Sequence, residues 1–437
     1  PADPPAATTP TNPAPLAGEG GRRPGEGQLS DAQIAQSLAE ADDRLTIGGK
    51  LFLRFDAAVA EDQEPGSTAL SSPNLLDLFA DVRPNDRVRG FAAGRFRYDF
   101  TVADGDTDLW GNVLEPGSVA LDQLWLKFDV GRVAYVTTGR QRVKWGSGRF
   151  WNPTDFLNTQ ALDALGATVF DERTGVTLLK VHVPIEKIAA NMYAVGSFDG
   201  ADELNQVGGA VRTEWVFWTA ELALSAAARE NDPVRLGADL SAGLGPFDVH
   251  VESAFRHGDD TPYYEGKFHL PTFTFPDEVD RSSEWIAQVV AGTELGIKYN
   301  DRDTLYIGAE YFYNDAGYDS AALLPYLAFE GAYVPFYLGQ HYAAGYLFFP
   351  APGRWDDGNV TFSTLANLSD SSYVSRLDVS HRALTYLQLN AYAAYHYGDN
   401  GEFHFSYEVE PIPGVFDEGL TIPAPVVEVG AGAMVNF

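Results

Sequence analysis

From residue 44 onward, apolar and polar side chains alternate with a period of two, as in strands that show one face to an apolar medium and the other to water. In the first such segment Leu45, Ile47, Leu51, Leu53, Phe55 and Val59 share a face, against Thr46, Lys50, Phe52, Arg54 and Asp56. A later one sets Val88, Gly90, Ala92, Gly94, Phe96, Tyr98, Phe100 and Val102 against Arg87, Arg89, Phe91, Ala93, Arg95, Arg97, Asp99 and Thr101. The pattern predicts strands near 44–59, 73–83, 87–103, 119–130, 132–145, 171–183, 187–198, 205–215, 218–230, 233–244, 247–258, 284–300, 303–315, 340–350, 358–368, 371–381, 384–398 and 425–437. That is eighteen, or sixteen if the weaker segments at 340–350 and 358–368 behave differently.

These segments exceed the five or six residues common in soluble strands and suit the nine to eleven of a tilted membrane strand. Tight turns alternate with long connections at 60–72, 104–118, 146–170, 259–283, 316–339 and 399–424. In hydrocarbon every backbone N–H and C=O must find a partner within the protein, so an open sheet edge is not viable. The expectation is therefore an all-β fold, a closed antiparallel transmembrane β-barrel over 44–437. Trp145, Trp215, Trp218, Trp285, Tyr299, Tyr311 and Tyr313 fall near strand ends on the outward parity, as interfacial girdle residues should.

Ahead of the barrel, residues 1–43 form a Pro-rich extension. Residues 1–28 hold too little apolar surface to offset ordering entropy. A short helix follows, with Ser30 as N-cap and a thin stripe of Ile34, Leu38 and Leu45, read as a periplasmic tether or as a plug reaching into the lumen. An opening on Pro1 rather than Met reads as a processed mature form, which fits export.

Composition narrows the function. The 437 residues contain no Cys, which excludes disulfides, thiol chemistry and CxxCH haem attachment. A formal net charge of -31 argues against nucleic acid as a partner. The charge is uneven: 44–183 holds 16 Lys and Arg against 18 acids, and 184–437 holds 12 against 36. The eight His are scattered without an HExxH or comparable metal spacing, so no enzyme and no cofactor is expected. One metal motif stands apart: Asp104, Asp106, Asp108 and Glu115 copy the oxygen-ligand spacing of a calcium loop, with Leu109 where that loop needs Gly. A structural Ca2+ is the corresponding expectation, against an ordinary acidic surface loop.

On the inward parity the early strands carry Lys50, Arg54, Arg83, Arg87, Arg89, Arg95, Arg97, Lys127, Arg132, Arg140, Arg142, Lys144 and Lys180. Opposite them lie Glu214, Glu221, Asp239, Asp248, Glu252, Glu294, Glu310 and Asp378. Barrels of this size enclose water, and charged rings there select ions. The alternative is structural: the Arg side chains pair with Asp56, Asp77, Asp81, Asp99 and Asp129 to hold the wall together. The aromatic stretch from Ala321 to Gly339 is too apolar to stand free in water and is expected to pack into the mouth as a lid, or to serve as an apolar substrate perch.

Two segments carry a family resemblance. The last strand, with Val427, Val429, Ala431, Ala433, Val435 and the terminal Phe437 on one face, resembles the final strand of Gram-negative outer-membrane β-barrels, whose terminal Phe is read by the barrel-assembly machinery. Gly139-Arg140-Gln141-Arg142-Val143-Lys144-Trp145-Gly146, continuing through Phe150-Trp151-Asn152-Pro153-Thr154-Asp155, resembles the "GRQ, WG, NP-D" segment of porin-like and alginate-export-like barrels. The resemblance implies a long loop folded into the pore, with Arg140, Arg142, Lys144 and Arg149 lining a constriction and Asn152 and Asp155 fixing the loop. It further implies a bacterial outer-membrane location among lipid and lipopolysaccharide. The expected function is passive diffusion of small anionic solutes. The alternatives are a barrel sheath around a periplasmic, lipoprotein or cytochrome partner, and an acidic-polysaccharide exporter.

Overall fold

In a computed structural model, the described residues are 44–63, 68–107, 113–158, 174–259, 261–412, 417 and 419–437. The extension at 1–43, with its expected helix, lies outside them.

Eighteen long strands form the wall. The first nine are β1 (Leu45–Ala60), β2 (Pro73–Asn85), β3 (Val88–Asp99), β4 (Gly117–Val130), β5 (Ala134–Gln141), β6 (Val176–Ile185), β7 (Ala190–Ser197), β8 (Gly208–Phe217) and β9 (Ala220–Ala228). They continue as β10 (Val234–Leu244), β11 (Phe247–His257), β12 (Trp285–Lys298), β13 (Thr304–Asn314), β14 (His341–Pro350), β15 (Gly358–Asn367), β16 (Ser372–Leu384), β17 (Leu387–Gly398) and β18 (Pro425–Asn436). Each pairs antiparallel with its sequence neighbour, and β18 closes on β1 through pairs running from Lys50 with Asn436 to Val59 with Val427. The last residue joins the seam: Gly49 and Phe437 exchange backbone hydrogen bonds of 2.8 and 3.1 Å. The closed sheet leaves no edge, as the sequence pattern requires.

The period-two pattern sorts as expected. Ile47 (73% exposed), Phe55, Phe96, Val119, Leu236 and Leu389 stand on the outer skin, whereas Phe52, Arg95, Asp239 and Glu310 are buried within. No helix of the described residues is long and apolar enough to cross a membrane, and the strands carry the apolar surface.

Local departures shape the interior. The register of β3 against β4 shifts between Ala93 and Gly94, which skips Asp122 and turns both it and Gln123 inward. At Gly139 the backbone takes φ +114°, and a Cβ there would stand 2.2 Å from the Leu124 carbonyl oxygen, so only glycine fits. Strand β5 ends at Gln141, four residues short of the sequence reading. Trp145 consequently leaves the wall: it is buried with Phe156, Leu178 and Val195, not placed in the lipid girdle. Trp218, Trp285, Tyr299 and Tyr311 do stand exposed near strand ends.

Short turns gather on the side of the chain's last residue and long connections on the other. On the loop side the hairpin Tyr263–Glu265 with Asp277–Val279, helix α1 (Leu324–Phe329) and the hairpin Tyr407–Val409 with Leu420–Ile422 rise above the wall. Tyr264, Leu323, Leu324, Tyr326, Leu327 and Leu338 form an apolar core there, with Phe268 and Phe405 against it. The aromatic stretch is therefore packed beneath its neighbours.

Candidate constriction site

After β5 the chain turns into the lumen. Arg142 donates two hydrogen bonds to Asp122, at 3.2 and 2.7 Å, and the N–H of Gly175, on the returning side, reaches the same carboxylate at 3.2 Å. The bulged Asp122 thus clamps both ends of the 142–175 connection. Two buried carboxylates on the far wall hold residues 147–154 of it. Glu252 on β11 accepts the N–H groups of Ser147 and Gly148, and the Thr154 hydroxyl at 2.9 Å. Glu310 on β13 accepts the N–H groups of Arg149, Phe150 and Trp151 at 2.8, 3.0 and 3.0 Å, and its other contact is His250 Nε2 at 3.0 Å. Three successive N–H groups aimed at one anion make a nest, and charge-assisted bonds of this kind are the strong ones. Since β11 and β13 lie six and eight strands around the wall from β5, the loop runs as a chord across the bore.

Trp151 is fully buried at the centre of this chord. Its ring packs on Phe312 and Tyr342 at centroid distances of 5.4 and 5.5 Å, and its Nε1–H donates to the Phe336 carbonyl at 3.0 Å. Gly148 lets the turn close: a Cβ there would fall 1.9 Å from the Trp151 carbonyl oxygen. Asp155 donates its N–H to the Asn152 carbonyl at 3.0 Å and accepts Asn158 Nδ2 at 2.9 Å. Residues 159–173 of the connection lie outside the described residues.

The expected lumenal cations separate into two groups. Arg54 meets Asp56 at 2.7 Å, Arg83 and Arg89 share Asp81 at 2.7 and 2.9 Å, Arg87 meets Asp129 at 2.8 Å, and buried Arg95 meets Asp77 at 2.8 Å. Arg140 reaches Asp199 at 3.2 Å, and Arg149 lies 3.6 Å from Glu294 with its guanidinium 3.9 Å from the Tyr346 ring centre. Lys144 donates to the Gly148 carbonyl at 3.5 Å, and Arg97 stands exposed near the loop-side end of β3. Lys50, Lys127 and Lys180 form the second group, with no carboxylate within ion-pair distance among the described residues. Arg89, Lys127, Thr137 and Lys180 occupy one cross-strand row through β3, β4, β5 and β6. Across the bore, Glu214 and Asp239 both hold Arg212, at 2.8 and 2.7 Å, while Glu221 and Asp248 are exposed.

The sequence resemblance named Arg140, Arg142, Lys144 and Arg149 for this loop; sequence reading missed Asp122, His250 and the anchoring role of Glu252 and Glu310. A lone Glu at an inward position on each of two strands was the available signal. Of the calcium set, Asp108 lies outside the described residues, and the Asp106 carboxylate accepts the Ala103 N–H at 2.8 Å. Among the described residues no group of three His, Asp or Glu side chains could hold a metal ion.

No protein-family model matches the chain, and no curated protein matches it. Solved structures do. OccAB4 of Acinetobacter baumannii aligns over 90% of this chain and 98% of its own at 8% identity, with a TM-score of 0.53. OccAB1 of the same organism aligns over 90% and 96% at 10% identity, TM-score 0.54. A BenF-like porin from Pseudomonas fluorescens Pf-5 aligns over 90% and 98% at 12% identity, TM-score 0.52. With its eighteen-stranded closed wall, short turns on one side and loops on the other, the chain has the fold of the outer-membrane porins.

Proposed function

We propose that the protein is a passive outer-membrane channel for small anionic solutes, with its turn side in the periplasm, its loop side outside the cell and its skin in lipid. The observation that carries this reading is the chord of residues 142–158, anchored across the bore, together with a wall on which Lys50, Lys127 and Lys180 have no carboxylate partner among the described residues. Most of the arginines hold the wall together, so they contribute little net field. The three lysines supply weak, repeated attraction, strong enough to admit an anion and too weak to trap it. A loop tied across the bore also favours a solute path over a sheath, since it occupies space that a cytochrome or lipoprotein guest would need.

In low-salt planar bilayers the native barrel should prefer anions. A unit charge about 6 Å from a permeating ion in water is worth ~0.7 kcal/mol, with opposite sign for an anion and a cation, so Lys127→Met alone should cut the anion-to-cation permeability ratio about tenfold. Reversal potentials in a salt gradient measure it, and cation preference in the native protein would remove the anion pathway. Calcium at Asp104, Asp106, Asp108 and Glu115 is a separate proposal resting on ligand spacing. It requires a rise in Tm on calcium titration that the Asp104→Asn, Asp106→Asn variant loses.

A further inference from the structure

Three loops meet at the backbone of a single residue. The Phe336 carbonyl, on the lid between β13 and β14, accepts Trp151 Nε1–H from the constriction at 3.0 Å. The Phe336 N–H donates at 2.6 Å to Glu402, on the connection between β17 and β18. Glu402 also accepts the Tyr342 hydroxyl at 2.6 Å, Asn367 Nδ2 at 3.1 Å and the Tyr333 hydroxyl at 3.3 Å. The rings follow the same path, with Phe336 5.8 Å from Phe403 and Phe403 6.3 Å from Tyr342. Between the lid and the constriction lies a cavity of about 260 Å³, bounded by Tyr333, Val334 and Tyr337 on one side and by Asn152 and Phe156 on the other.

Among the described residues Glu402 faces no cation. Asp370, in the turn after β15, accepts the Glu402 N–H at 2.8 Å and also binds Asn367 and Ser372. Neither Glu402 nor Asp370 has a Lys or Arg partner among the described residues. The titratable groups nearby on the same side are Tyr333 and Tyr342, then His404 with Glu61 at 3.3 Å and His396 with Glu428 at 3.5 Å.

We propose that Glu402 is the latch of an acid-closed gate: it holds the lid through Phe336, and the lid in turn holds Trp151 of the constriction. The proposal rests on the channel reading. Burial pushes the Glu402 carboxyl up to about 7, with the Asp370 charge acting in the same direction against the hydrogen bonds from Tyr342, Phe336 and Asn367. A closed lid therefore binds the proton more tightly than a released one. Closure is fully favoured below the ordinary carboxyl range and is lost as the pH rises through about 7. One proton changes the closing equilibrium by at most about tenfold per pH unit.

The test is single-channel recording of the full chain from pH 5 to 8.5, with amide exchange of residues 330–340 measured in detergent. The native protein should close at pH 5 and open above pH 7.5, while Glu402→Gln, which keeps a neutral side chain, should stay closed and exchange slowly at every pH. Because the chain has no cysteine, a Phe336→Cys, Phe403→Cys pair bridged by a short thiol cross-linker offers a second test. The bridged pair should be closed and pH-flat, and the unbridged pair responsive. Current that is pH-flat in the native protein, or Glu402→Gln following the native profile as would happen if His396 or His404 were the sensor, overturns the gate while leaving the channel. Absence of current at all pH values overturns the channel reading, and the exchange comparison at each pH then decides whether Glu402 still governs the lid.

Discussion

A Glu252→Gln, Glu310→Gln double variant will conduct several-fold more current than the native barrel at the same voltage. The two carboxylates hold the backbone of the constriction loop at five N–H groups, from Ser147 to Trp151. Hydrogen bonds to charged groups contribute about 1.5–3 kcal/mol each, and neutralising the acceptor loses most of that. An amide also turns an NH2 group toward N–H donors at one of its two positions. The wall should survive, because β11 and β13 keep their backbone ladders, whereas the chord should lift from the far side and swing about its Asp122 clamp. Conductance together with limited proteolysis of residues 142–175 checks this. Native conductance with a protease-resistant loop would mean that the loop is held by its apolar contacts alone.

Trp151→Ala should have a comparable effect by a different route. It deletes a fully buried ring from between Phe312 and Tyr342 and breaks the link to Phe336. Truncating a buried aromatic costs about 3–5 kcal/mol, and here the cost falls on docking of the loop and lid. The expected result is faster amide exchange in 146–158 and 330–340 and noisier, larger current, with heat stability of the wall little changed. A Trp151→Phe variant should recover most of the packing but not the Nε1 hydrogen bond. It thereby separates ring burial from the tie to Phe336.

How much of this was legible beforehand depends on the range of the forces involved. Strand positions were readable because the side-chain period of two is local and because lipid on one side and water on the other sort the two faces without regard to distant sequence. The inward turn of the loop was suggested only by the family resemblance of the segment at 139–155. Partners in the bore were not: Glu252 and Glu310 lie about a hundred or more residues from the N–H groups they accept, and nothing local to either strand announces them. The bulge that turns Asp122 inward is a register event between two strands, invisible in the period of either one. Trp145 shows the same limit in reverse, since its parity was outward but its strand had already ended at Gln141.

The sequence by itself determined the character of the wall: strands of membrane-crossing length, which face of each is apolar, and on which side the long connections lie. Those properties follow from alternation and from the need to pair every backbone group in hydrocarbon. The choice between eighteen and sixteen strands was made by the closed sheet. Only the tertiary structure decided which lumenal charges are paired. An ion pair forms where strand register sets two side chains side by side, so Arg54, Arg89 and Arg95 are paired with Asp56, Asp81 and Asp77, while Lys50, Lys127 and Lys180 have no carboxylate within ion-pair distance among the described residues.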